Sequence, residues 1–276
     1  MFKQALDWQS PDVVSIYDDV SLWSAPFAQL LLENVPMGSD WKVLDIGFGT
    51  GFPLIELAQR FGKNSQFVGV DIWTTAIAKT RRRIEILELD NVEIIEESIH
   101  NTNLPKGAFE LVCSNLGVNN FGGRIELFKK VVNCLKPGGH FCITTNDQRT
   151  FQELYPLFEH VFRELGIDGQ ALHDYIYSRP DITPLIKEIE NVDLKLTRHL
   201  EGKSSIRFSS GEALFNHGFF RIAFVPSWKQ LFPEKQWQRT LSLMQKLINQ
   251  EIKAKGEFAL SLPTHYLEFR KAADSH

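Results

Sequence analysis

The chain has 276 residues, 43% of them hydrophobic, and a formal charge of −4. That is enough apolar material for a full core, in one large domain or a domain with a cap. A negative balance offers no general attraction to phosphate backbones, which excludes nucleic acid as a default partner. Cys113, Cys134 and Cys142 are too few and too scattered for a disulfide framework, and no Cys/His spacing suits a metal. Met1 to Ser10 do not have the form of a signal peptide, and no apolar run approaches membrane-spanning length. No membrane is expected, and a reducing cytoplasm fits best.

From Pro11 to Pro36 the spacing predicts two short helices, with Val13, Val14 and Tyr17 on one face and Phe27, Leu30 and Leu31 on the next. Val43 to Ile46 is then a short apolar strand carrying Asp45, followed by Gly47, Gly49 and Gly51 and a helix with Leu54, Leu57, Ala58 and Phe61 on one side. Glycines in such a turn let the backbone pass close to a bound molecule and leave the helix N-terminus open towards it. A dinucleotide turn reads G-x-G-x-x-G and would have its last glycine where Phe52 stands, which weighs against NAD. Gln66 to Ile72 forms a second strand with Asp71 at its tip, about 20 residues past the glycines, where a carboxylate accepts hydrogen bonds from ribose hydroxyls. Ile72 and Trp73 would flank an adenine ring.

A helix from Thr74 to Leu89 is expected to bury Ile77, Ile84 and Leu87, and the run Arg81, Arg82, Arg83 within it reads as a solvated face. Val92 to Glu97 is a third strand leading into a loop in which His100 is a surface polar group. Phe109 to Asn115 is a fourth, with the loop Leu116 to Phe121 at its tip. Strand tips along one edge form the crevice of a doubly wound sheet, so this loop should face the ligand, with Asn119 and Asn120 as orienting amides. Phe128, Val131, Val132 and Leu135 make a helix face stopped by Lys136-Pro137-Gly138-Gly139, and His140 to Thr145 is the fifth strand. Strand and helix thus alternate from 43 to 145, which implies a mostly parallel sheet with helices on both faces.

Beyond Thr150 the alternation breaks down. Phe151 to Leu165 is an amphipathic helix ending at Gly166. Val192 to Leu200 and Ser204 to Phe208 read as two arms of a hairpin-like sixth strand around Glu201-Gly202-Lys203. Ser209 to Glu212 caps a helix containing Phe215, His217, Phe219 and Phe220, and Glu234 to Lys255 is another, burying Trp237, Leu241, Met244 and Ile248. Phe258 to Phe269 is the closing strand. The segments 151 to 190 and 209 to 257 exceed what a sheet requires, and such excess is where lids and substrate pockets are built.

The strand-end acid, the G-x-G-x-G spacing of Gly47, Gly49 and Gly51, the second acid Asp71 and the Leu135-Lys136-Pro137-Gly138-Gly139 stop together resemble the class I S-adenosylmethionine-dependent methyltransferases, in their small-molecule branch. The likeness is strong from 36 to 146. It implies a Rossmann-like, doubly wound, mostly parallel seven-stranded sheet with an antiparallel final strand and a helical lid insertion. It divides the single domain into an N-terminal cap (1–35), a cofactor core (36–150), a sixth strand with lid (151–257) and a closing strand (258–276).

The cofactor so implied is S-adenosylmethionine, with S-adenosylhomocysteine as product, held by Tyr17, Asp45, Gly47, Gly49, Gly51, Asp71, Ile72, Ser98, Ile99, Asn115 and Leu116. Ser98 stands where relatives commonly have an Asp for the adenine amino group. Asn115 is followed by Leu116-Gly117-Val118 and not by Pro-Pro-(Tyr/Phe), which argues against amino groups in nucleic acid. The partner is therefore a small-molecule acceptor, for which Trp23, Asn119, Asn120, His217 and Phe220 are the candidate contacts. Direct in-line displacement needs alignment and exclusion of water more than an acid or base. For an oxygen nucleophile, His217 or Tyr17 could take the proton. A regulator that binds the same nucleoside without transferring methyl, and more remotely an NAD-dependent oxidoreductase, are the alternatives.

Overall fold

A computed structural model describes residues 7–19 and 23–273, the side chains of 16–19 excepted. Two helices, α1 (Pro11–Asp19) and α2 (Ala25–Asn34), lead into the alternating unit β1 (Lys42–Ile46), α3 (Leu54–Phe61), β2 (Gln66–Asp71), α4 (Thr74–Ile86) and β3 (Val92–Glu96). It continues through β4 (Phe109–Asn115), α5 (Arg124–Cys134) and β5 (Leu135–Thr145). The seven strands run in the order β3-β2-β1-β4-β5-β7-β6, where β6 is Leu194–Phe208 and β7 is Phe258–Lys271. Strand β7 is antiparallel to both neighbours, and the other strands share one direction. The order reverses between β1 and β4, and the crevice of an open sheet lies at such a switch point.

Side chains alternate between two buried faces, as expected of strands covered on both sides. Leu44, Val68, Val112, Phe141 and Phe269 meet Leu127, Phe128 and Val131 of α5 and Leu185 and Ile189 of α8 (Ile182–Glu190). Val43, Phe67, Leu111, Cys113 and Tyr266 meet Leu31 of α2, Leu54 and Leu57 of α3 and Ile77 of α4. Helix α4 is shorter than its pattern suggested. It stops at Ile86, so that Ile77 is buried while Leu87 is 43% exposed.

Strand β6 corrects the expected hairpin. Leu194 to Phe208 is one continuous strand paired with β7 along its length, and Gly202 lies within the ladder opposite Thr264. A Cβ at Gly202 would stand 2.5 Å from Thr264 Oγ1, so this glycine answers to a crowded neighbour and not to a turn. Because β5 pairs with β7 only as far as His265, the β6–β7 ribbon continues past the sheet.

On that ribbon sits a second core. The helices α6 (Tyr155–Leu165), α7 (Gln170–Tyr177), α9 (Gly211–Asn216), α10 (Gly218–Ala223), α11 (Val225–Gln230) and α12 (Trp237–Lys255) gather around Phe151, Phe158, Phe219, Phe220 and Trp228, joined by Phe208, Phe258 and Leu260 of the ribbon. Local signals at its helix ends are as the sequence indicated. Gly166 closes α6 in the left-handed conformation, and Ser210 Oγ accepts from Ala213 N at 2.9 Å to cap α9.

Candidate functional site

A cleft of about 530 Å³ opens where β1, β2 and β4 end, at the switch point of the sheet. Gly49 faces it. A Cβ there would meet nothing within 4 Å, and its φ of +54 is one that side chains seldom adopt, so the turn presents bare backbone to the cleft. Gly51 serves packing instead. Its Cβ would stand 2.8 Å from Ile55 and 2.9 Å from Thr80, and it does not line the cleft.

Helix α4 and the tip of β2 tie this turn down. The Asp71 Oδ2 accepts from Gly49 N at 2.7 Å, while Oδ1 accepts from the amides of Ile72 and Trp73 at 2.7 and 2.9 Å. A carboxylate has about four acceptor positions, so one stays open to a ligand in the cleft that Asp71 lines. Thr80 Oγ1 donates to Gly49 O at 3.0 Å and Arg83 Nη1 to Thr50 O at 2.9 Å. The run Arg81–Arg83 therefore divides. Arg81 and Arg82 pair at the surface with Glu96 and Glu85, as a solvated face would, but Arg83 turns inward and lines the cleft.

Behind the turn lies Asp45, fully buried, with neither carboxylate oxygen hydrogen-bonded among the described residues. Burial, and after it the charge of Asp71, pushes its carboxyl up to about 8. A fully buried carboxyl without a hydrogen-bond partner is unusual in a folded chain. On the opposite wall, Asn115 Oδ1 accepts from Thr144 Oγ1 at 2.6 Å, and Leu116 follows in the left-handed region at φ 62.

The structure thus brings Gly47, Gly49, Asp71, Ile72, Asn115, Leu116 and Asn120 to one cleft, whereas Asp45 is fully buried and does not line it. The Tyr17 side chain lies outside the described residues. Ser98 and Ile99 do not line the cleft: Ile99 is core, and the Ser98 carbonyl is occupied by the amides of Asn101 and Thr102. Asn119 is turned into the protein, accepting from Thr145 Oγ1 and donating to Asn146 Oδ1.

Trp23, His217 and Phe220 do not form a pocket rim. Trp23 packs on Phe27, Phe151, Phe219 and Phe224 with ring centroids 5.0–6.3 Å apart. Phe220 is fully buried, and His217 meets Phe208 and Phe220 edge-on. Rings of that size are consumed by each other. Ser24, Phe48, Thr50, Arg83, Gly117 and Phe121 also line the cleft, and sequence reading missed them as site residues. Arg83 was legible only as the member of its run one helical position round from the solvated pair.

The family model described as a methyltransferase domain matches residues 38–188, more than half of the chain. A demethylmenaquinone methyltransferase of Bacillus mycoides (strain KBAB4) is 25% identical over 165 residues, covering 56% of this chain and 70% of that protein. A SAM-dependent methyltransferase from Aquifex aeolicus superposes with a TM-score of 0.55 at 15% identity, covering 69% of this chain and 92% of the other. Phosphoethanolamine N-methyltransferase 2 of Haemonchus contortus, solved with phosphomonomethylethanolamine and S-adenosylhomocysteine, gives a TM-score of 0.58 at 15% identity over 98% of this chain and 61% of its own. At such identities the two structures speak for the fold alone.

Proposed function

The chain belongs to the class I S-adenosylmethionine-dependent methyltransferases, and from that premise we propose that its cleft holds S-adenosylmethionine and passes the methyl group to a small-molecule acceptor. The observation that carries this reading is a buried Asp45, without a hydrogen-bond partner among the described residues, together with Asp71 at a turn where Gly49 presents no side chain. The donor is a nucleoside with a cationic amino acid tail, and the residues fit both ends of it. Asp71 has an acceptor position for the ribose, with Ile72 and Trp73 flanking the base; the Asp45 carboxyl, held neutral by burial, is drawn to ionise by the positive charge of the tail. When bound, the donor supplies an electrophilic methyl carbon on a sulfonium.

What the protein adds is position and dryness. Gly49 and Gly47 let the tail lie against backbone, and Asp71, Thr80 and Arg83 keep that backbone from moving when it is loaded. Asn115, Leu116 and Asn120 wall the side from which an acceptor would approach. Holding two reactants in line removes most of the entropic barrier to displacement, so no base is built into the proposal. A cytoplasmic setting is proposed with it, supported by three free, buried cysteines. No helix among the described residues is long and apolar enough to cross a membrane.

Calorimetric titration with S-adenosylhomocysteine, with NAD alongside, is the test. Binding of the first and not the second is expected; indifference to both would sink the reading. Turnover of methyl-labelled donor is then assayed against demethylmenaquinone, named for a similar protein, and against phosphomonomethylethanolamine, the molecule bound in a structure of similar fold.

A further inference from the structure

Asn119 stands between two cleft-lining residues, Gly117 and Asn120, yet its amide points away from the cleft and both of its ends are engaged. Its Oδ1 accepts from Thr145 Oγ1 at 2.6 Å and its Nδ2 donates to Asn146 Oδ1 at 2.8 Å. Asn146 Nδ2 donates in turn to Thr150 Oγ1 at 2.9 Å, and Thr150 Oγ1 to Asp147 O at 2.8 Å. Thr145 and Thr150 are fully buried and Asn146 is 5% exposed. A buried polar network with every member satisfied admits one arrangement of its amides, and so fixes whatever is attached to it.

What is attached is a turn that would not hold its shape unaided. Leu116 enters it at φ 62, a left-handed conformation that costs a leucine about 1 kcal/mol or more. Gly117 is pressed so closely on the sheet that a Cβ would stand 2.5 Å from Ser114 Oγ and 2.8 Å from Ile46 O. Strain of this kind persists only where the surroundings over-determine it. The far end of the network is equally fixed, since Asp147 is held by Arg149 and, at 3.0 Å, by His265 of β7.

We infer that Asn146 is a positioning residue for methyl transfer: it does not line the cleft, and acts through Asn119 on the turn of residues 117–120 that walls it. The inference rests on the reading of the cleft as the donor site. It also accounts for the polar side chain here, whose amide accepts from Asn119 on one side while donating to a hydroxyl on the other. An aspartate keeps the first contact, and the Thr150 hydroxyl can rotate to restore the second in exchange for its bond to Asp147 O; a leucine of similar volume keeps neither.

The experiment is calorimetry of the full chain with S-adenosylhomocysteine, paired with thermal melts. Asn146→Leu is expected to weaken affinity about tenfold, the loss of roughly one net hydrogen bond. Asn146→Asp should stay within about threefold of wild type, and Thr150→Val, nearly isosteric and safer to fold, should give an intermediate loss. Ile248→Ala, in the helical core far from the turn, should lower the melting midpoint and leave affinity alone. Equal affinity in wild type and in both Asn146→Leu and Thr150→Val would overturn the positioning role. So would an equal loss in Asn146→Leu and Asn146→Asp, because the oxygen that faces Asn119 would then not be what matters. Failure of the wild type itself to bind would strike the donor reading first, and is thereby distinguishable.

Discussion

The parallel half of the molecule and the helical addition beyond Thr150 use side chains in opposite ways. Around the cleft, function is made by what is left out. Gly49 offers open space, and Asp45 is buried with both oxygens unclaimed among the described residues. In the addition almost everything is spent: Phe151, Phe158, Phe219, Phe220 and Trp228 are each less than 2% exposed and packed ring against ring. The lesson is that aromatic richness marks a core before it marks a pocket, and that an unpartnered polar atom points to a ligand only near a cleft, since His217 Nδ1, Gln236 Oε1 and Thr240 Oγ1 of the addition also lack partners among the described residues.

The contrast is broken most directly at Phe220. Replacing it with alanine is expected to cost about 3–5 kcal/mol of stability, the range for a large buried ring, and to leave S-adenosylhomocysteine affinity unchanged. Denaturant melts and calorimetry on the same sample check both halves. A fall in affinity at undiminished fold would mean that the addition reaches into the site.

Asp71→Ala tests the other side. That carboxylate accepts three amides that shape the turn and, on our reading, the ribose as well. Donor affinity should fall roughly a hundredfold, about 3 kcal/mol, as expected for losing charge-assisted hydrogen bonds. Global stability should move much less, because the group lies at the sheet's rim.

Legibility followed the same division. Strand tips, glycine turns and helix stops are local, so the places of Gly49, Asp71 and the Asn115–Leu116 tip at the cleft could be expected from the alternation of strands and helices. Gly202 misled because glycine signals a turn only when no neighbour crowds it, and Thr264 is distant in sequence. Trp23, His217 and Phe220 misled because nothing local tells a pocket aromatic from a core one. The place of Arg83 at the cleft and the bond of Asn146 to Asn119 were invisible for a related reason. Both depend on Thr50 and Asn119, partners that only the fold brings near.

A gentler probe of the cleft is pH. The Asp45 carboxyl, at about 8 when folded against 3.8 when free, holds its proton through the neutral range. Its raised value means that the native state binds more protons than the unfolded one between those limits, so stability declines as pH rises from about 4 to 8. Asp45→Asn should flatten that slope in melts taken across the range. The ammonium of the ligand's zwitterionic tail favours the ionised acid, so S-adenosylhomocysteine affinity should climb from pH 6 to about 8 in wild type and stay level in the variant. A wild-type affinity indifferent to pH would remove Asp45 from the donor's surroundings.

The smallest effect is expected at His217, and it sharpens the contrast most cleanly. A proton acceptor in catalysis must come within hydrogen-bond reach of the reacting group. His217 instead marks the break between α9 and α10, its ring edge-on to Phe208 and Phe220 at 5.8 and 5.5 Å and its Nδ1 buried without a partner among the described residues. Burial pulls its pKa below the usual 6.5, so the neutral ring is the native form. Such a group contributes stability above its unfolded pKa and loses it as pH falls towards the folded one. His217→Gln should therefore reduce acid sensitivity in thermal melts while leaving turnover at saturating donor unaltered, against whichever acceptor is used. A collapse of turnover would show that the helical addition supplies chemistry, and the division between an open cleft and a core of packed rings would have to be redrawn.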